Sequence, residues 1–509
     1  MRALTRQWLA LAPVWLGLIA LLVSAPAMAV PSKWSDEGAT ISAATRSLPD
    51  LWRMLHLVDA VHGFFYLLMH FWVGAFGTSA LAIRVHSLIA IGIATAGVAV
   101  LGRLLAGERL MIAGALVFAV LPRVTWLAME GRSYAGTAAI AVWASVLFVR
   151  AVRGGGIRWW IGYTALVGAG ILLNVYLALM LVVHAATAVS WWRSTRRPAR
   201  ALLALVGAGV IAVGIGLPAI LLSSRETGQV SFGRFTAAYV GSMFGIEQYF
   251  TGATPVRDRL VHVPPTTIWA AAAVALAVIG WALMVWGAWR IRRRGDHGSP
   301  AALLVGWIAV PVLILFAVSA FVTNLYTARY LSFTTPAAAL LIAAGVLAIP
   351  RFAARLVVVV LIAALALPVY VYQRIPTAKQ GTDWAGAAQI VATAKLPGDS
   401  VYWGRQFGGV LGQNDARIGY TYPDEFAGLH SVTLVASPDA SGTLWGVDRL
   451  LGRSIAQVDA ASRIWVIGDH LGRPSWHPQR GGALLQRQGM RLERQWLGVA
   501  TDVFLWVRE

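Results

Sequence analysis

The 509-residue sequence contains no cysteine, so no disulfide braces an exposed region and no thiolate chemistry is open to it. Lysine is almost missing: 39 of the 42 basic residues are Arg, as a GC-rich genome would encode. Charged residues of all kinds make up only 13% of the chain, about half the fraction of a soluble domain. There is no internal repeat and no low-complexity tract, which sets aside solenoids and biased linkers. Acidic residues are outnumbered 22 to 42, giving a net charge of +20. That excess does not describe a nucleic-acid surface, because many of the Arg residues sit in short loops between apolar runs.

What is present is hydrophobic: 58% of residues are apolar, with a mean hydropathy of +0.67. Apolar stretches of about 16 to 25 residues recur and predict a multi-span α-helical membrane protein. Eleven spans are expected, near 8–30, 80–102, 110–122, 134–150, 159–174, 176–192, 201–222, 266–289, 301–321, 332–349 and 356–373. With the N-terminus inside, the inside loops hold Arg2 and Arg6; Arg103 and Arg109; Arg150, Arg153 and Arg158; Arg193, Arg196, Arg197 and Arg200; Arg290, Arg292, Arg293 and Arg294; and Arg351 and Arg355. Only Glu108 and Asp296 oppose them, a consistent positive-inside pattern. The expectation is a multi-pass plasma-membrane protein with a cytoplasmic N-terminus and an extracytoplasmic C-terminus.

Ala27-Met28-Ala29 also fits a signal-peptide cleavage site. Cleavage would leave Asp36 close to a free N-terminus and poorly fixed, so a retained span is expected. Trp34-Ser35-Asp36-Glu37 follows that span and holds two adjacent carboxylates at the outer membrane surface. Carboxylates at that depth are expensive unless they are used. The plain alternative is a polar cap on a helix end.

Four outside segments stand out: Pro31 to Ser79, Pro122 to Ser133, Ser223 to Pro265 (with Arg225-Glu226 and Pro264-Pro265), and Asn324 to Tyr330. In the first, His56, Asp59 and His62 recur at i, i+3 and i+6, one face of a helix if the segment is helical. A divalent metal is possible there; hydrogen-bonding groups that organise a wet cleft are the simpler reading. Phe64 to Trp72 is aromatic and apolar and is expected to lie in the interface, since a span here would invert every later loop. Two domains are expected: membrane helices over 1–375, with 31–79 as the first outside loop, and a small extracytoplasmic α/β domain over 376–509. Within the latter, a helix over Asp383 to Lys395 with Thr382 or Asp383 as cap precedes strands at Ser400 to Trp403, Ser431 to Ala436, Arg463 to Ile467 and Val499 to Val507.

The order of motifs carries a resemblance. "DEGATIS", "HLVDAVHGFFYLLMHFW", "FGTSALAIRVHSL", "LGRLLAGER" and "MEGRSYA" follow the first span in turn. The chain resembles GT-C glycosyltransferases of the dolichyl- or polyprenyl-phosphate-mannose mannosyltransferase type, in their actinobacterial branch. Asp36-Glu37 matches that family's first-loop acidic pair. His62 to Leu68 matches "HPPLYYLL", with Gly63 and Phe64 in place of both prolines. Glu130, Arg132 and Tyr134 match "EARPYA", with Gly131 and Ser133 departing. "RYLSFTTPAAALL" resembles "RYLLPALPALALL" and brings in Arg329 and Tyr330. The likeness is good over 1–150, fair over 320–400, and elsewhere limited to hydropathy and a "DW..AA......PGD.V" pattern.

The resemblance implies transfer of a sugar, mannose being the expectation, from a polyprenyl phosphate to an acceptor hydroxyl on a glycan, lipid or protein. Transfer would occur on the outer face with inversion. Asp36 would be the general base, and Glu37 would orient the acceptor or support Asp36. Arg329 and Arg132 would meet the leaving phosphate. His56, Asp59, His62, Tyr66, Glu130, Tyr134 and Tyr330 would line the substrate pocket. No cofactor is required with certainty. Plainer roles stand beside these: Arg329 as a headgroup anchor, Glu130 and Arg132 as a structural pair, and Arg84, Asn174 and His184 as satisfied interior groups. A lipid or sugar transporter or flippase is the alternative class, weakened by the lack of matching halves. An inactive relative that binds partners through its tail is a third.

Overall fold

The computed structural model describes residues 2–154, 156–195, 200–226, 234–252, 266–293, 300–404, 415–469 and 481–509. Arg196, Arg197, Arg294, Asp296 and Pro264-Pro265 lie outside the described residues. Each expected span coincides with a helix: α1 (Arg2–Ser24), α5 (Ala80–Ala106), α6 (Glu108–Val120), α8 (Tyr134–Val152), α9 (Ile157–Leu173), α10 (Leu179–Thr195), α11 (Arg200–Ser224), α14 (Thr266–Arg293), α15 (Pro300–Phe321), α16 (Thr335–Ala348) and α17 (Phe352–Tyr372). Between them lie α2 (Ser35–Ala44), α3 (Leu48–Leu55), α4 (Gly63–Phe76), α7 (Pro122–Leu127) and the short α12 (Ala237–Val240) and α13 (Gln248–Phe250).

Among the described residues, 8 helical segments are long and apolar enough to cross a membrane; Leu9–Ser24 and Ile157–Leu173 are apolar but shorter. The first helix stops at Ser24, six residues before the expected end. Pro122 explains a second break: it starts α7 and forces Leu121 into an extended conformation, ending α6. Helices approach closely where side chains are smallest. A Cβ at Gly287 in α14 would overlap the Leu341 carbonyl oxygen of α16, and one at Gly345 would overlap the Leu283 carbonyl of α14.

Past α17, α18 (Trp384–Ala394) precedes a five-stranded sheet in the order β2-β1-β5-β7-β6. Its strands are β1 (Ser400–Trp403), β2 (His430–Ser431), β5 (Arg463–Asp469), β6 (Met490–Trp496) and β7 (Thr501–Arg508). β1 runs parallel to β2 and β5, while β7 is antiparallel to β5 and β6. Alternation sorts the side chains: Val401, Trp465, Ile467 and Leu505 join one core, and Tyr402, Ile464, Val466 and Phe504 the other. The strand expected over Ser431 to Ala436 is two pieces; β3 (Leu434–Ala436) leaves the main sheet to pair with β4 (Val447–Asp448). β6 was not expected, because Met-Arg-Leu-Glu-Arg-Gln-Trp is a charged, exposed edge. Asp383 holds the cap position of α18, yet its carboxylate accepts from Ala500 N and does not cap the helix.

This sheet region touches the segment after α1. α19 (Ala416–Thr421) packs on α2, Lys33 N donates to the Tyr422 hydroxyl, and Ser42 Oγ donates to the Leu444 carbonyl. A Cβ at Gly38 would overlap Thr421 Oγ1, so Gly38 permits that contact.

Candidate active site

α2 starts at Ser35 after extended Trp34, placing Asp36 and Glu37 in its first turn, where the exposed amides and helix dipole favour negative charge. Successive helical residues diverge by about 100°. Glu37 therefore points inward. Arg84 from α5 grips it through Nε–Oε1 at 2.8 Å and Nη2–Oε2 at 2.7 Å. Lys379 Nζ and Gly131 N each donate to Oε1 at 3.1 Å. Arg84 also donates to the carbonyls of Met28 and Pro31 at 2.9 Å, tying the end of the first apolar run to the cage. Burial alone would raise the Glu37 pKa; the charges of Arg84 and Lys379 overcome it and hold the carboxyl at about 2.

Asp36 faces the other way. Its side chain is 19% exposed, Arg329 Nη1 donates to Oδ2 at 2.5 Å, and Arg132 Nε lies 3.9 Å from the same oxygen. Arg132 Nη1 in turn donates to the Tyr66 hydroxyl at 2.9 Å, and that hydroxyl donates to Asp59 Oδ2 at 2.6 Å. Burial, with Asp59 beside it, pushes the Tyr66 pKa well up against the pull of Arg132. Arg329 lies 5.6 Å from the rings of both Trp34 and Tyr330. Tyr330 leans on Tyr134 and Tyr176, with centroids 5.8 and 5.5 Å apart.

The structure thus gathers Asp36, Arg132, Arg329, Tyr66, Asp59, Tyr134 and Tyr330. It does not gather His56. The segment after Leu55 is not an α-helix: Asp59 has φ +61°, and a single 3-10 turn spans Ala60–His62. The shared helical face expected for His56, Asp59 and His62 is therefore absent. His56 is exposed and pairs with the Trp52 carbonyl. His62 is buried beside Tyr66, and burial with Arg132 nearby drives its pKa well down. Among the described residues, no group of three or more His, Asp or Glu is placed to hold a metal ion.

Among the described residues, buried polar atoms without a hydrogen-bond partner concentrate here: Arg132 Nε, Arg329 Nε, Tyr134 OH, Ser133 Oγ and His62 Nδ1. Buried polar groups are nearly always satisfied, so this cluster marks a place built to meet something polar. Burial raises the Glu130 pKa against the opposing charges of Lys379, Arg123 and Arg329. A cavity of about 260 Å³ flanks Tyr330, lined by Val61, Tyr176, Ile220, Leu325 and Glu226. Glu226 clamps Ala60 N with both oxygens, at 3.1 and 2.9 Å.

Sequence reading missed Lys379 and Tyr176, named Trp34 and Glu226 without giving either a role, and took Arg84 for an ordinary interior group. Lys379 carried one usable signal: it is one of three lysines, and it follows the last span.

No protein-family model and no curated protein sequence matches the chain. Solved structures do. ArnT from Cupriavidus metallidurans bound to undecaprenyl phosphate superposes with a TM-score of 0.57 at 14% identity, over 97% of each chain. The same protein in the apo state gives 0.56 at 13% identity, over 98% of each chain. The oligosaccharyltransferase AglB from Archaeoglobus fulgidus, with an inhibitory peptide and a dolichol-phosphate, gives 0.47 at 12% identity, over 98% of this chain and 74% of that one. At such identity the likeness is one of fold alone: this chain shares the membrane-helix fold of ArnT.

Proposed function

We propose that the chain is a membrane glycosyltransferase that moves a sugar from a polyprenyl phosphate to an acceptor hydroxyl with inversion. The observation that carries this is the half-open Asp36–Arg329 pair among partnerless polar groups. Asp36 is the general base. It takes the acceptor proton as the new C–O bond forms at the anomeric carbon, and the bond to phosphate oxygen breaks on the opposite side. The polyprenyl phosphate leaves with its electron pair, met by Arg329 and Arg132. In the structure Arg329 is bound to Asp36. A donor phosphate competes for that guanidinium and, on taking it, frees the carboxylate to act as base. Glu37, caged and fully buried, supports α2; Tyr66, Asp59, His62, Glu130, Tyr134 and Tyr330 shape the sugar and acceptor pocket, and His56 lies at its periphery.

ArnT, which shares the fold, binds undecaprenyl phosphate, and the apolar cavity beside Tyr330 suits the first isoprene units of such a donor. The loop arginines favour an N-terminus in the cytoplasm, which places the site and the sheet region outside, and the carbonyl contacts of Met28 favour a retained first span. Mannose is the first sugar to try, and the plasma membrane the expected location. A transporter fits less well, because the charges of the site lie at one end of the bundle and not at its middle. The test is turnover: purified protein, given radiolabelled polyprenyl-phosphate sugars and membrane extract, should pass label to acceptor. Label that stays on the lipid with every donor tried would overturn the enzyme reading.

A further inference from the structure

The far end of the helix bundle holds a second charged feature. α5 holds Glu37 through Arg84 in its second turn and ends, with the C-terminal end of α16, beside a cleft of about 110 Å³, lined by Arg109, Arg290 and Arg355 with Leu110, Ile291 and Leu347 between them. The three arginines come from α6, α14 and α17, distant in sequence and brought together only by packing. Other arginines at this end have company. Arg103 pairs with Glu108 at 3.9 Å, Arg150 and Arg158 lie over Trp159, and Arg293 lies 4.0 Å from the Trp289 ring. Arg109, Arg290 and Arg355 form no ion pair among the described residues. Arg355 is fixed in place: Nη2 donates to the Ile349 carbonyl at 2.8 Å, while its Nε is buried without a partner. Like charges gathered on apolar walls repel unless an anion joins them.

We propose that this cleft binds the phosphate of an anionic phospholipid headgroup. Guanidinium groups match phosphate oxygens in geometry and charge. The cleft lies at helix ends, where a bilayer spanned by these helices would present its headgroups, and Leu110, Ile291 and Leu347 in its lining would meet the start of the acyl chains. The site does not depend on the transferase reading, since it uses none of the residues around Asp36.

Native mass spectrometry of the full-length protein in detergent, titrated with phosphatidylglycerol, phosphatidylcholine or inorganic phosphate, tests it. Phosphatidylglycerol should be retained in preference to phosphatidylcholine. The triple variant Arg109→Gln/Arg290→Gln/Arg355→Gln should lose that retention by on the order of 100-fold, about fivefold per arginine. A control of equal charge loss at the same end, Arg103→Gln/Arg150→Gln/Arg158→Gln, should lose less than about a tenth as much. If the first triple folds poorly, Arg290→Gln alone, at an exposed position, should still weaken retention about fivefold. Equal retention of both lipids, or equal loss in both triples, would overturn the site in favour of diffuse surface charge. Inorganic phosphate that binds as tightly as the lipid would overturn the headgroup as its source.

Discussion

Glu37 is fully buried and accepts four hydrogen bonds from Arg84, Lys379 and Gly131, whereas Asp36, one residue earlier, keeps 19% of its side chain exposed and, among the described residues, pairs with Arg329 and Arg132. One turn of one helix therefore builds two different devices. The inner carboxylate is saturated, and removing it strands two buried cations. The outer one is half-open and, in the proposed reaction, gives its partner Arg329 up to the donor phosphate. An acidic pair in a first loop need not be a catalytic pair: the helix sends its members to opposite sides, and burial assigns them different work.

Asp36→Asn should have the largest effect on activity. Turnover should fall by about 10² to 10⁴, the usual share of a general base, with span insertion and melting temperature near those of the parent. Normal turnover in well-folded Asp36→Asn protein would remove Asp36 as the base and erase the contrast with Glu37.

Glu37→Gln should act on stability instead, by about 3–5 kcal/mol, because Arg84 and Lys379 would be left as unpaired buried charges. Thermal unfolding in detergent reads this directly. The same cage predicts an acid limb. The folded carboxyl sits near 2, below its ordinary 4.5, so its contribution is complete above about pH 4.5 and is lost as pH falls toward 2. Glu37→Gln should flatten that limb. A variant that melts normally but turns over slowly would instead put Glu37 on the acceptor.

Arg329→Ala should weaken use of the lipid donor strongly, and Arg329→Lys should restore part of it, since charge survives and the planar fork does not. Binding of polyprenyl phosphate alone separates this from a headgroup anchor, whose loss would leave donor affinity unchanged.

Much of the scaffold was readable. Every expected span is a helix, and β1 lies where the run Ser400 to Trp403 placed it. Apolar length and alternation are local signals, and the membrane and the sheet core enforce them. The exceptions have local causes: Pro122 splits a helix, Asp59 in a left-handed conformation breaks the histidine face, and a charged edge hides β6.

The membrane class, the order of helices, the acidic pair at the start of α2 and the arginine-rich loops follow from the amino-acid order alone, because each depends on composition or spacing within a few turns. Long-range packing sets Glu37 with Arg84 and Lys379, 47 and 342 residues away, and Asp36 with Arg329, 293 residues away. It alone brought Arg109, Arg290 and Arg355 to one cleft. Electrostatic partners are chosen by distance and burial, and sequence separation constrains neither.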